Sequence, residues 1–127
     1  MTLRCVIVDD SPAVLRAASE LLEGQGIAVA GVATTGKDAI RLVAELAPDV
    51  ILIDIDLGPE SGFDLARSLV DRASREAPRS ILISTHDEAD YAYLIAASPA
   101  LGFLPKSDLS ATAIHRLLAR AQDEGRC

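Results

Sequence analysis

The sequence predicts an α/β fold: a three-layer α/β/α sandwich built around a five-stranded parallel sheet. Two patterns predict it. Short apolar runs recur five times along the chain, and segments with apolar residues at three- and four-residue spacing lie between them. Strict alternation with short connections favours parallel strands, right-handed crossovers and helices on both faces of one sheet. The length of 127 residues suits one domain, residues 1–127, without an internal repeat or linker.

Each apolar run is predicted to form a strand, and the third is typical of a fully buried one, because it is too short for a helix core and rich in β-branched residues. The runs cover residues 3–8, 27–33, 50–55, 80–84 and 100–105. The third run has a feature that needs explaining, since it includes an acid, Asp54, and a buried unpaired charge is costly. An acid at the carboxyl end of a strand avoids that cost by pointing into the crevice where open α/β sheets bind ligands.

The segments between the strands are predicted to be amphipathic helices. The apolar stripes of the first three comprise Val14, Leu15, Ala18, Leu21 and Leu22; Ala39, Ile40, Val43 and Leu46; and Phe63, Leu65, Leu69 and Val70. A fourth helix is predicted in residues 87–97 and a fifth in residues 109–124. Ser110 is the predicted cap of the last helix, and Gly24 is predicted to stop the first.

Composition and charge exclude several classes of protein. Half of the residues are apolar and 24% are charged, which is typical of a globular protein rather than a disordered one. The net charge of −7 opposes binding to nucleic acid. The first residues lack the apolar segment of a signal peptide, and no run approaches the ~20 apolar residues of a membrane span, so we expect a cytoplasmic protein. Cys5 and Cys127 have no metal-ligand spacing, and we expect one buried and one terminal thiol, both reduced.

Polar residues follow four of the predicted strands. They are Asp9 and Asp10 after the first, Asp54 in the third, Ser84 and Thr85 at the fourth, and Lys106 after the fifth. Because the carboxyl ends of parallel strands share one edge of the sheet, we expect these side chains to meet there.

Three neighbouring carboxylates repel one another and raise each other's pKa unless a cation intervenes, and a set of oxygen ligands suits Mg²⁺. With such an ion present, an oxygen of Asp54 can attack a phosphorus centre as a nucleophile. Lys106 and the Ser84 hydroxyl can then contact phosphoryl oxygens. The pattern therefore predicts phosphoryl transfer to an aspartate.

Four motifs carry a resemblance to a known family over essentially the whole chain: "VIVDDSP", "ILIDIDLGPESGFDL", "ILIS" and "GFLPKS". The sequence resembles the receiver domain of a bacterial two-component response regulator, with "GFLPKS" similar to the NarL/LuxR type. The separations between Asp54, Ser84 and Lys106 also resemble the family pattern. The resemblance implies the flavodoxin-like (βα)5 receiver fold.

The resemblance also implies roles for individual residues. Asp10 and Asp54 would bind Mg²⁺ directly, Asp9 would act through water, and the backbone carbonyl of Asp56 would complete the protein ligands. Asp54 would accept a phosphoryl group from a histidine kinase or phosphotransfer protein. The chain would be a signalling receiver rather than an enzyme, although it would catalyse its own Mg-dependent phosphorylation from a phosphohistidine donor and its own dephosphorylation.

Phe103 falls at the aromatic switch position of the family. A hydroxyl drawn toward the phosphoryl group would let this ring turn inward. The switch would change the face formed by the fourth helix, the fifth strand and the fifth helix. We expect a downstream protein or a second copy of the chain to bind there.

Two departures leave alternatives open. The residue after the switch hydroxyl is usually Ala or Gly in this family and here is Thr85, so Ser84 and Thr85 both remain candidates for the switch. Asp56 and His86 match variable positions that are thought to tune the lifetime of the phosphoryl group.

Other classes fit less well. The pair Asp54 and Asp56 also resembles the DxD opening of haloacid-dehalogenase-type phosphatases, but these need an acidic pair after a later strand. A flavodoxin-like nucleotide binder is disfavoured because "DDSPA" would repel phosphate. A receiver that works only as an unphosphorylated interaction module is disfavoured by the intact set of acids, hydroxyl and lysine.

Overall fold

The computed structural model describes residues 2–73 and 77–124, and within them the predicted α/β/α sandwich is confirmed. Five strands form one sheet: β1 (Arg4–Val8), β2 (Ala28–Ala33), β3 (Val50–Asp54), β4 (Arg79–Ser84) and β5 (Gly102–Pro105). Five helices alternate with them: α1 (Pro12–Gly24), α2 (Gly36–Leu46), α3 (Gly62–Asp71), α4 (Ala92–Ala97) and α5 (Ala111–Glu124). Among the described residues, none of the helices combines the length and apolar character that a membrane crossing requires.

The strand order places β1 beside β3 near the middle of the sheet. All neighbouring strands are parallel, in the order β2-β1-β3-β4-β5. The chain therefore leaves β1 toward one side, returns, and continues from β3 toward the other side. This reversal opens a crevice at the carboxyl ends of β1 and β3, which is where ligands bind in open α/β sheets.

The two faces of the sheet bury separate apolar clusters, because successive side chains of a strand point to opposite faces. Ile7, Leu52 and Ile83 pack with Leu15 and Leu22 of α1 and Ile114 of α5. Val8, Ile53 and Leu82 pack with Ala39 of α2 and with Leu65 and Leu69 of α3. Every residue of β3 is buried, and this fixes the position of its last residue, Asp54.

Hydroxyl side chains cap four of the helices. Ser11, Thr35 and Ser61 accept hydrogen bonds from the first turns of α1, α2 and α3. Ser110 accepts one from Ala113 N at 3.0 Å, so its predicted role at the start of the last helix is confirmed. α1 ends at Gly24, as predicted, but Gly24 is itself helical, and the glycine of positive φ is Gly26, with φ of 92°.

The predicted fourth helix is broken in two. Residues Glu88–Tyr91 form a 3-10 turn, and α4 itself has only six residues. Tyr91, the last residue of the turn, has φ of −125°, and neither segment has a side-chain hydrogen bond at its N-terminus among the described residues. Weak capping and little buried apolar surface explain why this stretch does not form one continuous helix.

Cys5 is buried in β1, as expected. Burial, together with the nearby Glu23, raises the pKa of the Cys5 thiol to about 12, so the thiol is an unreactive core group. Cys127 lies outside the described residues.

Candidate functional site

Three carboxylates meet at the crevice between β1 and β3. One oxygen from each of Asp9, Asp10 and Asp54 lies within 4.8 Å of the other two. Asp9 is fully buried and Asp54 is 4% exposed, while Asp10 is exposed at the rim. The acids that the sequence predicts to converge are therefore brought together.

Backbone interactions on both sides hold Asp9 in place. Its N–H donates to the Ala33 carbonyl oxygen at 3.1 Å, which extends the pairing of β1 with β2 by one residue. Its Oδ1 accepts a hydrogen bond from Ser11 N at 2.9 Å, at the cap of α1. The Asp9 carboxylate is thus fixed by the strand it follows and the helix it precedes.

Lys106 brings a positive charge between two of the carboxylates. Its Nζ lies 2.6 Å from Asp9 Oδ2 and 3.1 Å from Asp54 Oδ2. Burial alone lowers the pKa of Lys106, but its contacts with Asp9 and Asp54 outweigh that effect and raise the pKa. The lysine therefore stays charged and spans the crevice from the end of β5.

The carboxylate of Asp54 is oriented by a donor on each oxygen. Asp56 N donates to Oδ1 at 3.1 Å and Lys106 Nζ donates to Oδ2 at 3.1 Å. Burial raises the pKa of Asp54, Lys106 and the Asp56 N–H lower it, and the negative charge of Asp9 raises it again, with a net value of about 6. The effect of burial on the Asp54 pKa is thus larger than that of the two donors. A cation bound beside Asp54 would lower this pKa and favour the ionised carboxylate.

The carboxylate cluster fits a divalent cation. Three carboxylates face one ammonium group, which leaves an excess of negative charge. The buried Asp9 Oδ2 has Lys106 as its charge partner but no well-aligned hydrogen bond from the described residues. An oxygen-only donor set with an incompletely satisfied buried oxygen suits a hard ion such as Mg²⁺.

A short hairpin forms the loop beside the site. Asp56–Leu57 pairs antiparallel with Glu60–Ser61, and Gly58 at the turn has φ of 64°, which favours glycine. The exposed Asp56 begins this hairpin, so its backbone lies next to the cluster. The backbone segment that carries the predicted carbonyl ligand therefore lies beside Asp54, and the role of this carbonyl stays a prediction.

Gly62 packs closely against the end of β3. Its N–H donates to the Ile55 carbonyl oxygen at 2.8 Å, and a β-carbon at this position would collide with the backbone carbonyl of Asp54. The start of α3 therefore packs directly on the residue that carries the candidate nucleophile. The sequence shows a glycine in a loop, but this close approach depends on the tertiary packing of α3.

Glu60 makes a contact that sequence reasoning missed. Its carboxylate oxygens accept hydrogen bonds from Gly36 N, both at 3.2 Å, at the start of α2. The favourable charge of a carboxylate at a helix N-terminus explains the contact. No local pattern indicates it, because the two residues are far apart in the chain.

The two candidate switch hydroxyls occupy different environments. Ser84 is buried at the end of β4, directly after Ile83, the residue that pairs with Asp54. Its Oγ accepts a hydrogen bond from His86 N at 3.0 Å. Thr85 is exposed. This geometry favours Ser84 for the switch, and the assignment stays a prediction.

Phe103 is already inside the core, with 6% of its surface exposed. It lies on β5 opposite Leu82. The predicted inward turn of the ring has therefore no outward starting position in this structure, and the switch role of Phe103 stays a prediction.

Comparison with protein families settles the class of the chain. The model of the response regulator receiver domain matches residues 5–118. The chain belongs to this family. The predicted family and receiver fold are both confirmed, and membership implies phosphorylation-dependent signalling in a two-component system.

One relative is similar to the chain over almost its whole length. Over 99% of its length the chain is 35% identical to the protein-glutamate methylesterase/protein-glutamine glutaminase 1 of Shewanella denitrificans, yet the match covers only 34% of that protein. The chain thus spans about a third of the length of this relative.

Two solved structures are similar over most of the fold. A LuxR-family two-component response regulator from Aurantimonas sp. SI85-9A1 has a TM-score of 0.80 at 28% identity, covering 94% of this chain and 84% of that one. The receiver domain of the response regulator NarL from Mycobacterium tuberculosis has a TM-score of 0.77 at 30% identity, covering 94% and 95%.

Proposed function

We propose that the chain is a phosphorylation-activated switch that accepts a phosphoryl group on Asp54 from a histidine kinase or phosphotransfer protein, in a reaction that requires Mg²⁺. The observation that carries the proposal is the position of Asp54. It is buried at the crevice, with Lys106 Nζ 3.1 Å from one carboxylate oxygen and two further carboxylates beside it.

In the proposed reaction an oxygen of Asp54 attacks the phosphorus of a phosphohistidine. The new P–O bond forms as the P–N bond breaks, and the electron pair returns to the imidazole of the donor. Asp56 N keeps its hydrogen bond to Oδ1, so Oδ2 is the attacking oxygen. Lys106 Nζ donates a hydrogen bond to this Oδ2 before the reaction. After transfer, its ammonium group is close enough to contact a negatively charged phosphoryl oxygen.

The proposed Mg²⁺ ligands are Asp10 and Asp54 directly, Asp9 through water, and the Asp56 backbone carbonyl. Bound there, the ion would supply positive charge that offsets the carboxylates and the phosphoryl oxygens. Asp9 and Asp54 are oriented before any ligand binds, because backbone N–H groups donate hydrogen bonds to their carboxylates. Phosphoryl transfer depends mainly on such positioning and electrostatics.

The proposed output surface is the face of α4, β5 and α5, through which a partner protein or a second copy would bind. Tyr93 is 87% exposed and Leu94 is 48% exposed on α4, which supports an interface there. We propose that residues 1–127 form one receiver domain that acts in the cytoplasm, and we propose no other activity for it. The methylesterase activity named for the Shewanella denitrificans relative belongs to a protein about three times as long as the matched region.

Phosphotransfer measured by intact mass tests this proposal. Incubation with a phosphorylated histidine kinase or phosphotransfer protein and Mg²⁺ should add one phosphoryl group to the wild-type chain. The Asp54→Asn variant and the wild type in excess chelator should gain none. Asp71→Asn, which changes an exposed aspartate at the end of α3, is the matched control and should be labelled normally. Labelling of Asp54→Asn, or labelling in chelator, would refute the assignment.

A further inference from the structure

His86 lies between the buried Ser84 hydroxyl and the ring of Tyr91, the residue that precedes α4. Its Nδ1 is 3.4 Å from Ser84 Oγ, and its backbone N–H donates to the same oxygen at 3.0 Å. On the other side, the rings of His86 and Tyr91 form an edge-to-face pair with centroids 5.8 Å apart. One exposed side chain therefore contacts both the candidate switch hydroxyl and Tyr91.

The Ser84 hydroxyl has one proton to donate. The His86 backbone N–H uses one acceptor site of the oxygen, so the hydroxyl proton can point at Nδ1 in the tautomer that carries the ring proton on Nε2. The next group near this ring nitrogen, Asp56 Oδ2, is farther away at 3.9 Å. A phosphoryl oxygen on Asp54 would compete for the same proton. Donation to the phosphoryl group and donation to His86 therefore exclude each other.

Tyr91 is placed to pass a change in His86 to α4. Its ring packs against Phe63 at the start of α3, with centroids 6.2 Å apart. At the other end of α4, Arg67 of α3 donates to the Ala97 carbonyl oxygen at 3.3 Å. The segment is thus tied to α3 by an aromatic contact near His86 and by a hydrogen bond at its far end. A change that starts at His86 reaches the first end and leaves the second in place.

Phe103 is less suited to this task, because its ring is already buried in the core. Tyr91 is half-buried and its partner His86 is exposed, so both rings have room to move. We propose that His86 is a positioning residue that carries the state of the Ser84 hydroxyl to Tyr91 and to the turn before α4. The inference rests on the proposed function in one respect: phosphorylation of Asp54 supplies the competing acceptor.

A double-mutant cycle tests the link in the free protein, without any phosphoryl chemistry. The measured quantity is the change in the ring ¹H–¹³C chemical shifts of Tyr91 that Ser84→Ala causes. In the His86→Phe background this change should be at least about twofold smaller than in the wild-type background, because an aromatic ring remains against Tyr91 but Nδ1 is lost. The His86 backbone N–H is present in both backgrounds, so the difference reports the ring nitrogen.

Tyr93 is the internal control, since its exposed ring has no contact with His86 among the described residues and should not respond. An equal response of Tyr91 to Ser84→Ala in both backgrounds would overturn the link. His86 is exposed, so His86→Phe and His86→Ala leave the core intact and should not unfold the chain.

Beryllofluoride with Mg²⁺, used as a phosphoryl mimic, tests the link in the activated state. Bound mimic is detected by its ¹⁹F signal, and the Tyr91 and Phe103 ring shifts are followed together. We expect the larger change at Tyr91, little change at the Arg67 and Ala97 amides, and at least about a twofold loss of the Tyr91 response in His86→Ala with the ¹⁹F signal retained. A response centred on Phe103, or one at Tyr91 that survives in His86→Ala, would overturn the inference. Absence of bound mimic from the wild type would count against the proposed function, and the cycle in the free protein would still decide the link.

Discussion

The two halves of the carboxyl edge of the sheet are built differently. Around β1 and β3, the strands are covered on both faces, and the buried Asp9 and Asp54 are held by backbone hydrogen bonds. Around α4, by contrast, none of the six described helix residues is buried, and the helix is preceded by an uncapped 3-10 turn. Local stability follows buried apolar contact, so the first half is expected to be rigid and the second to open easily.

This difference suits the proposed division of labour. Phosphoryl transfer needs groups held in fixed positions before the reaction. A conformational response needs an element with two packings that differ little in free energy. Among the described elements, the fixed positions for transfer lie at the end of the fully buried β3, and the element proposed to change its packing is the six-residue α4.

The same leucine-to-alanine change in each half should give the largest contrast. Leu52→Ala, in β3, is expected to lower the free energy of unfolding by about 2–5 kcal/mol, because Leu52 is fully buried. Leu94→Ala, in α4, should change it by less than about 0.5 kcal/mol, because Leu94 is half exposed. Urea denaturation of both variants measures the difference. Similar losses would mean that the two halves are equally well packed.

Gly62→Ala should damage the rigid half specifically. The added β-carbon meets the backbone carbonyl of Asp54, so α3 or the end of β3 must shift. We expect a loss of on the order of 1–3 kcal/mol in unfolding free energy and slower phosphotransfer to Asp54. Gly24→Ala is the matched control, because a β-carbon there meets nothing within 4 Å and the residue is helical. The prediction fails if the two alanine variants behave alike in denaturation and phosphotransfer.

How far the sequence predicts this arrangement depends on whether a feature is local. Alternating apolar runs specify the strands, and parallel pairing brings Asp9, Asp10, Asp54 and Lys106 to one edge, so the fold and the cluster could be anticipated. The contact of Glu60 with α2 and the packing of Gly62 on Asp54 could not, because they depend on how distant segments pack. The broken fourth helix was missed because weak capping and exposure outweigh helix propensity there.

Removing the charge of Asp54 should stabilise the fold. The pKa of this carboxyl is raised from 3.8 to about 6, mainly by burial, so the folded state binds the proton more tightly than the unfolded state. The stability that this group confers is therefore greatest below pH 4 and falls as the pH rises from about 4 to 6. At pH 7 we expect Asp54→Asn to be more stable than the wild type by about 1–3 kcal/mol, with the difference shrinking toward zero near pH 4.

Thermal or urea denaturation between pH 4.5 and 7.5, without metal, measures this effect. Asp71→Asn again serves as the exposed control and should show no such trend. Millimolar Mg²⁺ should narrow the difference at pH 7, because it stabilises the charged cluster of the wild type. A destabilised Asp54→Asn at pH 7, or a difference that grows toward acid pH, would contradict the assigned cause.

Small effects on stability are expected at the two hydroxyls, whose contrast should appear in signalling instead. Thr85→Ala, at an exposed position, should change the free energy of unfolding by less than about 0.5 kcal/mol, whereas Ser84→Ala should cost about 1 kcal/mol, because it leaves the His86 N–H without its acceptor. In signalling, Thr85→Ala and Ser84→Ala should both still accept a phosphoryl group on Asp54. Ser84→Ala should lose the chemical-shift response of residues 88–118 to beryllofluoride, and Thr85→Ala should keep it. The reverse ranking would assign the switch to Thr85. Loss of phosphorylation in Ser84→Ala would instead mean that this hydroxyl takes part in phosphoryl transfer. The end of β4 would then belong with β1 and β3 to the half that carries out the transfer.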